Sequence, residues 1–156
     1  MDNNEIIKNF YSAFTKGDAN TMISFYSDNV VFTDPAFGTL KGKKAKAMWK
    51  MLLSNKKSLA NVSFNSIKET NTTNVSAKWT ATYNYGPKSR KVVNNVTAEF
   101  EFKDGKIIKH TDNFNLWNWS KQALGTSGYL LGWSNFMKNK IQEGANQKLN
   151  NFIKDI

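Results

Sequence analysis

The chain contains no cysteine, which excludes disulfides, thiolate nucleophiles and cysteine-ligated zinc. Proline occurs only at Pro35 and Pro87, histidine only at His110 and arginine only at Arg90. No apolar run approaches the roughly 18–20 residues needed to span a bilayer, so no membrane partner is expected. The opening MDNNEIIKNF has neither a basic n-region nor an apolar h-region, and a cytoplasmic location is the expectation. No Ser–His–Asp order, Gly-rich phosphate loop or zinc signature is present, and Gly125 and Gly128 lack the strand–turn–helix setting of a nucleotide loop. No cofactor and no metal are expected. Acidic residues number 12 against 22 basic ones, a net charge of +10. With a single arginine, the surplus is almost all lysine, scattered except over 41–50 and 88–91. It lacks the planar fork that reads phosphates and guanines, so a solvated Lys/Asn-rich surface is expected rather than a nucleic-acid partner.

What remains is a chain of 156 residues, 40% hydrophobic and 22% charged, enough for one core. Ile6, Ile7, Phe10 and Phe14 form a helical stripe over 4–16, with Tyr11 beside it and Gly17-Asp18 as its stop. Met22, Ile23, Phe25 and Tyr26 predict a second short helix, and 30–34 a strand halted by Pro35. A third helix fits 43–53 through Ala45, Met48, Trp49 and Leu52. Beyond residue 60 the period becomes two. A strand is predicted over 62–68. The next carries Val75, Ala77, Trp79, Ala81, Tyr83 and Tyr85 on one face, and a third carries Val92, Asn94, Val96, Ala98, Phe100 and Phe102. Asp104-Gly105 signals a hairpin into a last strand with Ile108, His110, Asp112, Phe114 and Leu116 together. An aromatic, Gly-interrupted tail follows from Trp117, with a helix over 134–153 anchored by Phe136, Ile141, Leu149 and Phe152. Helices first and meandering strands second predict an α+β fold.

Polar residues on apolar faces are where function is sought. Asp34 shares a face with Val30 and Phe32, Asn94 lies between Val92 and Val96, and His110 and Asp112 lie between Ile108 and Phe114. Burying a carboxylate costs several kcal/mol unless it is paired or reached by water, so these groups imply a polar pocket or a satisfied network. In a pocket, Asp34 would be a base of raised pKa, His110 an acid or electrophile, Asp112 its orienting partner and Asn94 a substrate donor. Each has a plainer reading. Asp34 before Pro35 can cap a turn, His110 and Asp112 can pair structurally, and Asn94 can hold a bulge. Trp49, Trp79, Tyr83, Phe10 and Phe14 can be core or ligand wall.

The run FYSDNVVFTDPAFG over 25–38, the LKG at 40–42, FKDGKI over 102–107 and HTDNF over 110–114 resemble the nuclear transport factor 2-like superfamily, particularly its SnoaL-like and ketosteroid-isomerase-like members. Met48-Trp49, 122–125 and 130–133 resemble a bacterial subgroup with a helical tail. The resemblance implies a cone: three N-terminal helices packed on a curved mixed sheet over 1–116, with 117–156 as an aromatic helical extension on the same domain. It implies a homodimer and a cavity for a small apolar molecule, with Asp34 at the proton-shuttling aspartate and His110, Asp112 and Phe114 lining the wall. Phe10 and Ala98 stand where the isomerase has its oxyanion-hole tyrosine and protonated aspartic acid, which argues against steroid isomerisation itself. Isomerisation, cyclisation, dehydration or hydrolysis by proton transfer is the leading expectation, followed by ligand binding without turnover and by a scaffold that dimerises through its sheet. Trp117, Trp119, Tyr129 and Trp133 are expected to leave water, closing the cone's mouth, extending the core or joining two copies.

Overall fold

The computed structural model of the chain describes residues 1–55 and 59–156. Helix α1 (Asn3–Thr15) starts at Asp2, whose carboxylate accepts from the Glu5 N–H while Glu5 accepts from the Asp2 N–H. This reciprocal cap satisfies two donors that the helix leaves open. Its stripe of Ile6, Ile7, Phe10, Tyr11 and Phe14 is buried. Helix α2 (Ala19–Ser24) ends earlier than its apolar spacing predicts: Phe25 is the cap and Tyr26 opens strand β1 (Tyr26–Asp34). The cause is remote in sequence, since Tyr26 pairs with Ile107 far along the chain.

After Pro35 the chain returns as β2 (Gly38–Lys41), an edge strand too short for alternation to reveal. Helix α3 (Lys43–Ser54) buries Ala45, Ala47, Met48, Trp49 and Leu53. Strands β3 (Leu59–Glu69), β4 (Asn74–Tyr85), β5 (Arg90–Lys103) and β6 (Lys106–Asn113) follow as an antiparallel meander. The six-stranded order is β2-β1-β6-β5-β4-β3, with β1 and β6 parallel. The β5–β6 hairpin turns at Asp104 and Gly105, both at positive φ, as the sequence predicts. Two of the sheet's four register irregularities among the described residues bear on the strands that carry the site. One lies in β3 between Asn65 and Lys68, where Ser66 has φ +55°. The other shifts the register after Glu101, so that Ile107, not the expected Ile108, is the fully buried residue at the start of β6. His110 and Asp112 keep their predicted inward face.

The tail folds as α4 (Leu116–Leu124), α5 (Thr126–Leu131) and α6 (Asn135–Lys154). On α6 the expected anchor Phe136 is exposed and Met137 is buried in its stead, since Met137, Ile141, Ala145 and Leu149 repeat every four residues along the inward face. Leu149 is fully buried in the main core with α1, α3 and the sheet, and Phe152 is only half-buried. Gln142 and Asn146 donate to the carbonyls of Pro35 and Phe37, tying α6 to the β1–β2 turn. A smaller core gathers Val92, Trp119 and Ala123 beneath α4.

Candidate active site

Sheet, α1, α3, α4 and α6 surround a cavity of about 780 Å³, a volume suited to a small organic ligand. Its wall is rich in aromatic rings. Phe14, Trp49, Trp79, Tyr83 and Phe114 line it, joined by Asn94 and by the two carboxylates Asp34 and Asp112. These are eight of the residues singled out from the sequence. Phe10 and His110 are not in the lining. Phe10 is fully buried among Tyr26, Trp49, Phe100 and His110, and acts as core. His110 is fully buried behind Asp112, which corrects the expectation that its ring faces the pocket. Alternation gives a side chain's face but not its depth, and His110 sits one step further from the mouth than Asp112.

The parallel pairing of β1 with β6 brings the carboxylates together. Phe32 pairs with His110 and Thr33 with Thr111, so Asp34 and Asp112 come next on adjacent strands. Asp34 Oδ1 accepts from the Ala36 N–H at 3.0 Å and the Phe37 N–H at 2.6 Å. The turn-capping and pocket-facing readings of this residue therefore coexist. Burial pushes its pKa up to about 7, the Asp112 charge adds to the rise, and the two backbone N–H bonds only partly oppose it.

Behind Asp112 runs a buried chain of hydrogen bonds. Trp49 Nε1–H donates to the Tyr26 hydroxyl at 2.8 Å, and that hydroxyl lies 2.7 Å from His110 Nδ1. His110 Nε2 lies 2.8 Å from Asp112 Oδ1, which also accepts from Trp79 Nε1 at 3.3 Å. The Tyr26 hydroxyl, accepting from Trp49, thus meets one ring nitrogen of His110, and the other ring nitrogen meets Asp112. The ring is clamped between Phe100, with centroids 4.1 Å apart, and Trp49, stacked at 6.0 Å.

Three participants escaped the sequence reading. Tyr26 looked like a helical apolar residue, and only long-range pairing reveals it as a link to His110. Trp119 donates to the Tyr83 hydroxyl at 2.7 Å, so a residue read as tail covering orients a residue of the wall. Burial pushes the Tyr83 phenol above its ordinary value, with the Trp119 bond opposing, and this keeps it a neutral donor. Tyr11 is fully buried with no hydrogen-bond partner for its hydroxyl among the described residues. Burial, then the Asp112 charge, pushes its pKa well above 10. Among the described residues no three His, Asp or Glu side chains gather closely enough to hold a metal ion.

A family profile described as SnoaL-like domain matches residues 7–110. No curated protein matches the sequence at a significant level. Among solved structures, a candidate polyketide cyclase from Pseudomonas putida KT2440 is 20% identical, covers 79% of this chain and 98% of its own, and superposes with a TM-score of 0.65. The epoxide hydrolase/cyclase-like enzyme SalBIII, described for pyran-ring formation in the polyether salinomycin, is 13% identical over 73% of this chain and 91% of its own, with a TM-score of 0.63. TerC, co-crystallised with polyporic acid, is 18% identical over 71% and 89%, with a TM-score of 0.57. At these identities the likeness establishes the fold, a cone of the nuclear transport factor 2-like kind.

Proposed function

This chain belongs to the SnoaL-like domain family, and from that premise we propose that it is an enzyme that moves a proton on a small, largely apolar molecule, in the manner of an isomerase or cyclase. The observation that carries the proposal is Asp34: a carboxylate in an aromatic cavity, with its pKa pushed up to about 7. A base of that strength is matched to neutral pH, where it is substantially ionised yet holds a proton firmly once taken.

In the proposed reaction Asp34 removes a proton from a carbon next to a carbonyl. The C–H electron pair becomes the C=C bond of an enolate, and the charge moves to the carbonyl oxygen. Tyr83, whose oxygen accepts from Trp119 and whose own proton has no acceptor among the described residues, and the amide of Asn94 are the donors for that oxygen. Protonated Asp34 then returns the proton to a second carbon, completing an isomerisation. In a cyclisation the enolate carbon instead attacks an internal carbonyl, and Asp34 protonates the alkoxide that results. Asp112 raises the proton affinity of Asp34 by its charge, while His110, Tyr26 and Trp49 are positioning residues that hold Asp112 still. None of these steps requires an organic cofactor.

The donor set differs from that of the ketosteroid isomerases, since Phe10 is core and Ala98 lies directly across the β5–β6 ladder from Asp112. A substrate other than a steroid fits this reading. We read 1–116 and 117–156 as one unit, because Leu149 of α6 lies in the main core and Trp119 of α4 orients the wall. Titration of the Asp34 carboxyl by carbon-13 NMR tests the proposal. A midpoint near 7 is expected, and one near 4, that of an exposed carboxylate, removes the desolvated base on which the proposal rests.

A further inference from the structure

The aromatic tail does not bury all its aromatic surface. Trp119 faces inward, but Tyr129, Leu130, Trp133 and Phe136 are each between 60% and 68% exposed, and Trp117 and Leu131 are also exposed. The cause is the packing of α5 on α4. A Cβ on Gly128 would overlap the Ser120 carbonyl, and one on Gly132 would overlap the Gly128 carbonyl and the Ser120 side chain. The glycines thus take up the inward face of α5, and its large side chains are left pointing out. They form a connected surface. Trp117 Nε1 donates to the Tyr129 carbonyl, Trp133 Nε1 donates to the Leu130 carbonyl, and Gly132 lies against the Trp117 ring.

Lysines rim this surface. Lys121 Nζ stands 4.0 Å from the Trp117 ring centroid and 5.9 Å from that of Tyr129, and Lys140 stands 5.4 Å from that of Phe136. Arg90 donates to the Gln122 carbonyl at the same end. From Asn113 to Gln142 the chain carries no acidic residue at all, although it includes Lys121, Lys138 and Lys140. Tryptophan, tyrosine and leucine ringed by lysine have the composition of a surface that sits at a lipid interface, rings among the acyl chains and ammonium groups among the head groups. A second copy would meet the same uncompensated lysines face to face, which disfavours self-association here.

We propose that the α4–α5–α6 face docks on anionic lipid membranes, with Tyr129, Leu130 and Trp133 entering the interface and Lys121, Lys138 and Lys140 contacting the head groups. The docking is peripheral, and no helix among the described residues is long and apolar enough to cross a membrane. The helices that would touch lipid also line the cavity, through Trp119 and Leu124 on α4 and Ile141 on α6. An apolar ligand would thus have a short path from bilayer to pocket.

Co-sedimentation of the full chain with phosphatidylcholine vesicles, with and without 30% phosphatidylglycerol, tests this. Binding to the anionic vesicles is expected, weakening as salt rises from 50 to 300 mM. The triple substitution Tyr129→Ser, Leu130→Ser, Trp133→Ser should lower the partition coefficient at least tenfold. Lys121→Glu with Lys138→Glu should lower it further, each lysine at such a surface being worth roughly fivefold. Near-ultraviolet circular dichroism identical to that of the parent keeps misfolding from imitating the result, and an unchanged Asp34 titration separates the docking face from the proposed active site. No sedimentation with anionic vesicles at 50 mM salt, equal partition of parent and triple variant, or a stable dimer in solution dissolved by the triple substitution would each overturn the proposal.

Discussion

Asp34 couples acidity to stability, with a sign opposite to that of a salt-bridged carboxylate. Its folded pKa of about 7 lies above the ordinary 3.8 of an aspartate, so between those pH values the native state binds the extra proton. Stability from this group is fully present below about pH 4 and is lost as pH rises toward 7, a change of up to about 4 kcal/mol at 1.36 kcal/mol per unit. Asp34→Asn keeps an oxygen for the Ala36 and Phe37 N–H groups and removes the charge. It should stabilise the protein by roughly 1–3 kcal/mol at pH 8 and by much less at pH 5. Urea unfolding at the two pH values reads this, and a pH-independent difference would contradict it. Tyr26→Phe tests the buried chain. The substitution strands the Trp49 N–H and His110 Nδ1 in the core, a cost of about 1–3 kcal/mol. If His110 positions Asp112, the Asp34 midpoint should also fall in this variant as the neighbouring charge loosens, whereas a purely structural role leaves the midpoint where it was.

At the scale of elements, alternation was legible wherever partners lie close in sequence. The inward faces of β4 and β5, the Asp104-Gly105 hairpin and the stripe of α1 follow from local spacing, as does that of α3 except at its end, where Leu53 is buried and the expected Leu52 is exposed. What escaped depends on distant partners or on phase. Tyr26 leaves α2 for a strand because Ile107 waits across the ladder, β2 exists because the β1–β2 turn folds it back, and Ile107 replaces Ile108 because of one irregularity opposite Glu101. The site shows the same division. Asp34, Asp112, Asn94 and the aromatic wall were readable, but the retreat of His110 behind Asp112 was not. The α4–α5 contact yields its own prediction. Gly128→Ala forces a methyl group into the Ser120 carbonyl, and the helices must separate at a cost of roughly 1–3 kcal/mol. Hydrogen exchange should show α5 losing protection while β5 and β6 keep theirs, and uniform protection would mean that the pair adjusts without strain.

For the whole molecule, the net charge of +10 acquires a location. Scattered along the sequence, the lysines read as solvation. In the fold some of them frame an apolar face, which is why the sequence suggested only that the tail aromatics would be buried. The parallel seam between β1 and β6 has a consequence for how the protein is born. Asp34 is synthesised early and Asp112 late, and nothing local holds them together until the last strand slides between β1 and β5. Closing so long a stretch of chain is an entropically late event. A nascent or truncated polypeptide lacking β6 would expose Asp34 to water as an ordinary acid. The raised pKa on which the proposed base depends would come into being only when the sheet is finished, so on that proposal an incomplete copy is chemically silent.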